Sequence, residues 1–262
     1  MSRKPENPSP GGAAGTAVTD QPGQEPQPFD RPRFARALRR ALTDAYDHLG
    51  VVGAATFLWG LAIGLPIEVA TAFLPGWWGP LTAALVSLFT SAAANAGIFY
   101  LAGRIAAREP ASLLDLAKGV AEFFWRSLGL TALVGGVGGV VLVNAVFYLT
   151  RGSRIAGVIG FVCLYLVALW CMVSLYAYPL LVGRRQRPVT AFRNSAALTM
   201  DNMGFTLQCA AFALGVTTVV AVPVLLRMPY LVGLSALIAL FLYAGFLALL
   251  ANHALLELLK KY

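Results

Sequence analysis

Charged residues are scarce in this sequence. Of its 262 residues, 12% are Asp, Glu, Lys or Arg and 58% are hydrophobic, and the mean hydropathy is +0.70. A soluble domain carries about 25% charged residues, so the composition excludes that class and predicts a membrane protein. The net charge of +8 does not indicate nucleic-acid binding, because the basic residues fall in blocks between apolar stretches, as in loops that face anionic lipid.

Cysteine and histidine are also rare, which excludes several kinds of site. The three cysteines lie inside apolar runs, where a thiol behaves as a small hydrophobic group, and their spacing forms no disulfide framework or zinc site. The two histidines, His48 and His253, have no HExxH spacing, so we expect no metal site although Glu257 lies one turn after His253. No nucleophile elbow, phosphate-binding loop or carboxylate pair is present, and we predict no enzymatic activity and no cofactor.

The first 32 residues lack the apolar segment of a signal peptide, so we expect no cleavable signal. They are rich in Pro, Gly, Gln, Ser and Thr and have too little apolar surface to offset the entropy of ordering. We therefore predict a disordered cytoplasmic tail over 1–32, followed by a single transmembrane helical domain over 33–262.

Long hydrophobic runs are what the sequence has in abundance. Six of them can cross a hydrocarbon core of about 30 Å at about 1.5 Å per residue: Gly50–Phe73, Trp78–Ile105, Leu128–Leu149, Ile155–Val182, Gly204–Leu226 and Tyr230–Leu256. With the N-terminus inside, 17 of the 20 Lys and Arg residues fall on the inner side. The positive-inside rule then predicts a multi-pass protein of the inner (plasma) membrane with both termini cytoplasmic.

Amphipathic segments precede three of the runs. Arg33–Leu49, Ser112–Ser127 and a segment from Val189 are typical of helices that lie on a membrane surface. Each enters its span at a glycine, and these glycines are 79 and 75 residues apart: Gly50, Gly129 and Gly204. We predict an all-α polytopic fold of six transmembrane helices, arranged as three helical hairpins, each preceded by a cytoplasmic amphipathic surface helix.

The same spacing predicts three parallel pseudo-repeats, over about 33–105, 112–183 and 189–258. The alternative is that any six-span protein with short outer loops has a similar spacing.

Several motifs resemble one known family. They are Trp59, Leu65-Pro66, an Ala-rich second span closed by Arg104 and Arg108-Glu109, and Phe123-Phe124-Trp125-Arg126-Ser127. This pattern, over about residues 34–262, is similar to the YesL-like family of bacterial six-span integral membrane proteins, which have no established biochemical activity. Some members occur beside carbohydrate-uptake genes, so the resemblance implies an accessory role near sugar transport. It provides no catalytic residues.

Four polar residues inside the apolar runs are candidate transport residues: Glu68, Asn95, Asn144 and Gln208. Ionisable groups in a membrane are costly and usually serve a function, but Glu68 maps near the outer interface, where a hydrated or ion-paired carboxylate is a structural feature. The three amides could line a substrate path, or they could hydrogen-bond between helices. We favour the structural interpretation for all four.

A glycine-rich stretch, Gly135-Gly136-Val137-Gly138-Gly139, interrupts the third span. It could be a broken helix around a substrate, as in some transporters. It could also be a close-packing seam with Gly135 and Gly139 in small-xxx-small spacing, which we favour.

Two classes of function fit these features. The first is a non-enzymatic accessory, scaffolding or regulatory membrane protein that acts through its surface helices, in contact with the lipid bilayer and with a membrane-protein partner or a second copy of itself. The second is a small-molecule or ion transporter or channel. A packed centre of the helical bundle would favour the first class, and a hollow centre the second.

Overall fold

The computed structural model describes residues 32–73, 76, 78–225 and 239–260. These residues contain no β-strand, and six of their helices are long and apolar enough to cross a membrane. The prediction of an all-helical chain with six candidate spans is therefore confirmed. Apart from Pro32, the predicted tail over 1–32 lies outside the described residues, as does the beginning of the predicted sixth span, 230–238.

The described helices follow the predicted order. They are α1 (Phe34–Asp47), α2 (Leu49–Phe73), α3 (Trp78–Ala106), α4 (Leu114–Leu149), α5 (Arg154–Gly183), α6 (Pro188–Asp201), α7 (Met203–Leu225) and α8 (Ala244–Leu259), with a π-helical turn over Ala239–Tyr243 before α8. As the sequence indicates, α4 runs without a break from its amphipathic first half into the apolar second half.

The last helix lies at the centre of the described fold. α8 packs against α1, α2, α3 and α5, and 67% of its apolar window is buried, compared with 11% for α4. All eight residues from 248 to 255 are buried, so α8 is enclosed on every face. We call this end of the bundle, where α3, α5 and α8 finish and α1 and α6 lie, the basic end.

Glycines allow the closest helix crossings. A Cβ on Gly119 of α4 would lie 2.6 Å from Tyr100 Cβ and 2.9 Å from the Ala96 carbonyl oxygen of α3. On α8, the backbone N–H of Gly245 donates to the Thr56 hydroxyl of α2 over 3.0 Å. Small residues at such crossings let two backbones approach within van der Waals contact.

The C-terminal ends of α3 and α5 have the same backbone feature. Arg108 follows α3 with φ +59° and Arg185 follows α5 with φ +51°. Both occupy the left-handed conformation in which helices end, a position that usually holds glycine. The two helices that follow, α4 and α6, begin a few residues later.

Candidate functional site

A hydrogen-bonded polar cluster joins four helices around Asn95 of α3. Asn95 Oδ1 accepts from Trp59 Nε1 of α2 over 2.9 Å, and Asn95 Nδ2 donates to Tyr178 Oη of α5 over 3.3 Å. Tyr178 Oη in turn lies 2.6 Å from Thr131 Oγ1 of α4. The amide therefore bonds to two other helices and, through Tyr178, reaches a third.

The other three predicted polar residues lie outside this cluster. Glu68, Asn144 and Gln208 have exposed side chains on α2, α4 and α7. Asn144 Nδ2 donates to the Val140 carbonyl oxygen of its own helix over 2.8 Å, which is the local bond that an amide makes on a lipid-facing or solvent-facing surface. Glu68 is in the last two turns of α2, as expected for a carboxylate near an interface.

A buried carboxylate at the basic end is the centre of a cation cluster. The Glu257 side chain of α8 is 1% exposed and accepts from Arg40 over 2.6 Å, from Lys260 over 2.7 Å and from Arg36 over 3.5 Å. Because burying a carboxylate without partners costs several kcal/mol, these cations are required for Glu257 to lie in the core. The two arginines also join α1 to α8.

A second polar pair lies one turn further along the same two helices. His253 Nε2 lies 2.7 Å from Asp44 Oδ2, so the histidine is a partner of α1. Within the described part of the chain, no group of three His, Cys, Asp or Glu residues is close enough to bind a metal ion. The i,i+4 spacing of Arg40 and Asp44 predicts an ion pair along α1. In the fold, both side chains contact residues of α8.

Asp115 is the second buried carboxylate at this end. It is 1% exposed and accepts from Arg104 over 2.6 Å, from Lys118 over 3.0 Å and from the backbone N–H of Ser112 over 2.8 Å. The last bond closes the turn that precedes α4, and the Arg104 bond ties that turn to the end of α3. Asp115 is therefore a buried residue that joins the end of α3 to the start of α4, and it is not part of a solvent-exposed charged face.

The three amphipathic helices contact the protein through a column of mostly small residues. The buried columns, each with i,i+4 spacing, are Ala37, Ala41 and Ala45 in α1, Asp115, Gly119, Phe123 and Ser127 in α4, and Ala191, Ser195 and Thr199 in α6. Several large apolar residues of the same helices are more than half exposed: Leu42, Tyr46, Leu114, Trp125, Val189 and Met200. Others are partly buried and pack against the core: Phe34, Leu38, Leu116, Phe192 and Leu198. Each helix thus has part of its apolar surface on the bundle and part of it exposed.

The glycine-rich stretch of α4 is neither a break nor the predicted seam. α4 is continuous through it, and a Cβ on Gly135 or Gly139 would meet no described atom within 4 Å. Gly138 alone in this run makes a close approach to the described residues, with Trp170 of α5 at 2.8 Å from its hypothetical Cβ. Trp170 Nε1 donates to the Val134 carbonyl oxygen over 3.0 Å, which explains why a bulky residue sits opposite a glycine.

In the Asn95 cluster and around the two buried carboxylates, the polar groups bond to one another. The Asn95 cluster consists of neutral donors and acceptors bonded to one another, and the carboxylates at the basic end are neutralised by Arg and Lys. Both clusters join helices. A comparison with protein-family models gives no match to this chain, and comparisons with curated proteins and with solved structures give none either.

Proposed function

We propose that this chain is a non-enzymatic accessory or scaffolding protein of the inner (plasma) membrane. In this proposal three parallel repeats, each a surface helix followed by a helical hairpin, present apolar side chains at the cytoplasmic interface. The observation that carries the proposal is the common organisation of α1, the first half of α4, and α6. Each packs on the bundle through a buried column and leaves some of its large apolar residues more than half exposed.

The order of faces around these helices supports an interfacial position. At 100° per residue, the buried column is followed on the wheel by the exposed apolar residues and then by the charged or polar ones. The last two faces adjoin closely, because Tyr46, Trp125 and Met200 each lie about 20° from a charged residue seven positions earlier. These charged residues are Arg39, Lys118 and Arg193. A helix with one face on protein, one on lipid and one on water has this arrangement at a membrane surface.

The register of the columns supports the repeat. Ala41, Gly119 and Ser195 are the second members of the three columns and are 78 and 76 residues apart. This spacing is within one residue of that between Gly50, Gly129 and Gly204, which begin the spans. The left-handed arginines after α3 and α5 fall at corresponding positions, at the end of the second span of a repeat.

The packing of α8 favours a scaffold over a transporter or channel. Residues 248–255 are buried on all faces, and the polar groups around Asn95 bond to one another. A substrate path would leave such groups open to water or to the substrate. Accessory action near carbohydrate uptake, which the YesL-like resemblance implies, stays a prediction.

Site-specific photo-crosslinking in the native membrane tests the proposal. A photoreactive phenylalanine analogue would replace Tyr46, Trp125 or Met200, with Phe161, an exposed residue near the opposite end of α5, as the control. We expect a discrete protein adduct from the surface-helix positions and lipid adducts alone from position 161. Lipid adducts alone at every position would contradict the proposal, as would solute flux in vesicles of the purified chain that Asn95→Ala abolishes.

A further inference from the structure

A pocket at the basic end lies between the ends of α3, α5 and α8. Its volume is about 480 Å³. The walls are largely apolar, with Tyr100, Phe123, Pro179, Leu255, Leu256 and Leu259 among the lining residues. The charged side chains that line it are three arginines, Arg104, Arg184 and Arg185, and one carboxylate, Glu109.

The charges at this pocket do not balance. Arg104 pairs with Asp115 and Glu109, and Arg185 pairs with Glu122 over 2.9 Å. No carboxylate of the described residues lies within ion-pair distance of Arg184, which lines the pocket. The same holds for Arg126, whose Nη1 donates to the Arg185 carbonyl oxygen over 3.0 Å. Among the described residues, the guanidinium groups of Arg184, which lines the pocket, and Arg126, which lies outside its lining, therefore have no carboxylate partner.

The backbone brings these charges to one corner. Arg184 and Arg185 follow α5, and Arg185 adopts φ +51°, a conformation that residues other than glycine rarely take. Arg126 of α4 donates a hydrogen bond to the Arg185 carbonyl oxygen. The backbone that carries the two arginines is therefore positioned beside the pocket by α4 and α5.

We propose that this pocket binds the phosphate group of an anionic phospholipid. Guanidinium groups bind phosphate oxygens through charge-assisted hydrogen bonds, often two at a time, and Arg184 is the lining arginine that has no carboxylate partner among the described residues. The apolar walls suit the glycerol and the upper acyl chain, whereas a free hydrated phosphate would gain nothing from them. Basic pockets between spans at the cytoplasmic side are a known setting for anionic headgroups. This site is independent of the scaffolding role.

Native mass spectrometry of the full chain in detergent, with phosphatidylglycerol or phosphatidylcholine added, tests the site. We expect retention of phosphatidylglycerol over phosphatidylcholine, and a loss of at least about fivefold in Arg184→Gln, since one basic residue near an anionic surface contributes about that factor. Arg184→Lys should keep part of the retention. Leu256→Trp fills the pocket without changing its charge and should also reduce retention.

Arg187→Gln is the matched control, because Arg187 is exposed at the same end and does not line the pocket. It should retain the lipid as the wild type does. Equal losses in Arg184→Gln and Arg187→Gln would overturn the proposal in favour of general surface charge. Wild-type retention in both Arg184→Gln and Leu256→Trp would also overturn it. Displacement of the lipid by excess inorganic phosphate would assign the pocket to a soluble anion instead.

Discussion

Glu257 and Asp115 show at the scale of single residues how burial determines what a carboxylate does. Both side chains are 1% exposed, and each pairs with arginine from another helix and with a lysine three positions further along the chain. Glu109 also pairs with Arg104, but its side chain is 56% exposed. Water screens an exposed pair and leaves it worth about 0–1 kcal/mol, whereas loss of one partner from a buried pair leaves a charge unpaired.

Glu257→Gln should destabilise the fold by about 2 kcal/mol. This lies below the 3–5 kcal/mol typical of breaking a fully buried pair, because Arg36, Arg40 and Lys260 are partly exposed. The measurement is the free energy of unfolding in detergent, followed by tryptophan fluorescence. Glu109→Gln is the control and should change it by less than about 1 kcal/mol. Equal effects of the two substitutions would mean that Glu257 is not enclosed.

At the scale of helices, hydrogen bonds between spans distinguish two amides that look alike in the sequence. Asn95 bonds to α2 and α5, whereas Asn144 bonds to its own helix. The sequence predicts that each amide either lines a substrate path or joins helices, and Asn95 joins helices. The sequence could not distinguish them, because the difference depends on which face of each helix meets a neighbour.

Asn95→Ala should therefore cost more stability than Asn144→Ala. Interhelical hydrogen bonds in membranes average about 0.6 kcal/mol, so the loss of two predicts about 1 kcal/mol for Asn95 and close to zero for Asn144. Unfolding of the two variants in mixed micelles, compared with the wild type, measures the difference. A larger loss in Asn144→Ala would contradict the assignment of the cluster.

The crossing of α3 and α4 makes a similar prediction for glycines. Gly119→Ala would force a Cβ to within 2.6 Å of Tyr100 Cβ, whereas Gly135→Ala meets no described atom within 4 Å. Overpacking of this kind costs about 1–3 kcal/mol, while an alanine in an open helical position is neutral or stabilising. Thermal melting of the two variants should show a lower Tm for Gly119→Ala alone. A normal Tm for Gly119→Ala would mean that the two helices are further apart.

The sequence predicts where the helices lie along the chain far better than it predicts which helices contact one another. Hydropathy and helical periodicity are local properties, so the residues alone predict six candidate spans and three amphipathic segments. The contacts of Arg36, Arg40 and Asp44 with α8 join residues 209 to 221 positions apart, and no local pattern encodes them. One signal was available: the i,i+4 columns of small residues next to the charged ones indicate a face that packs closely.

At the scale of the whole molecule, the proposed topology puts 17 of the 20 Lys and Arg residues on one side of the membrane. The 17 inner Lys and Arg residues, the ion pairs around Glu257 and Asp115, and the basic pocket would then lie in the cytoplasmic half. The large apolar residues of α1, α4 and α6 would lie at the inner interface, where the membrane and a partner protein are both within reach.

Labelling of single cysteines from outside the cell tests this topology. In a background without the three native cysteines, a membrane-impermeant maleimide should react at Gly152→Cys, in the turn between α4 and α5. It should not react at Gly183→Cys, at the end of α5, unless the membrane is first permeabilised. Reaction at position 183 in intact cells would reverse the orientation.

The depth of the amphipathic helices in the bilayer tests the central claim most directly. Spin labels at Tyr46→Cys, Trp125→Cys and Met200→Cys, in the reconstituted full chain, would be compared by power-saturation EPR with a label at the charged-face control Asp47→Cys. Asp47 is exposed and lies about 100° from Tyr46 on α1, whereas Lys118 lies only about 20° from Trp125 on the wheel of α4. We expect the three apolar-face labels to be more accessible to membrane-dissolved oxygen than to a water-soluble nickel complex, and Asp47→Cys to show the reverse. Nickel-accessible labels at all four positions would place these helices in water and contradict the account.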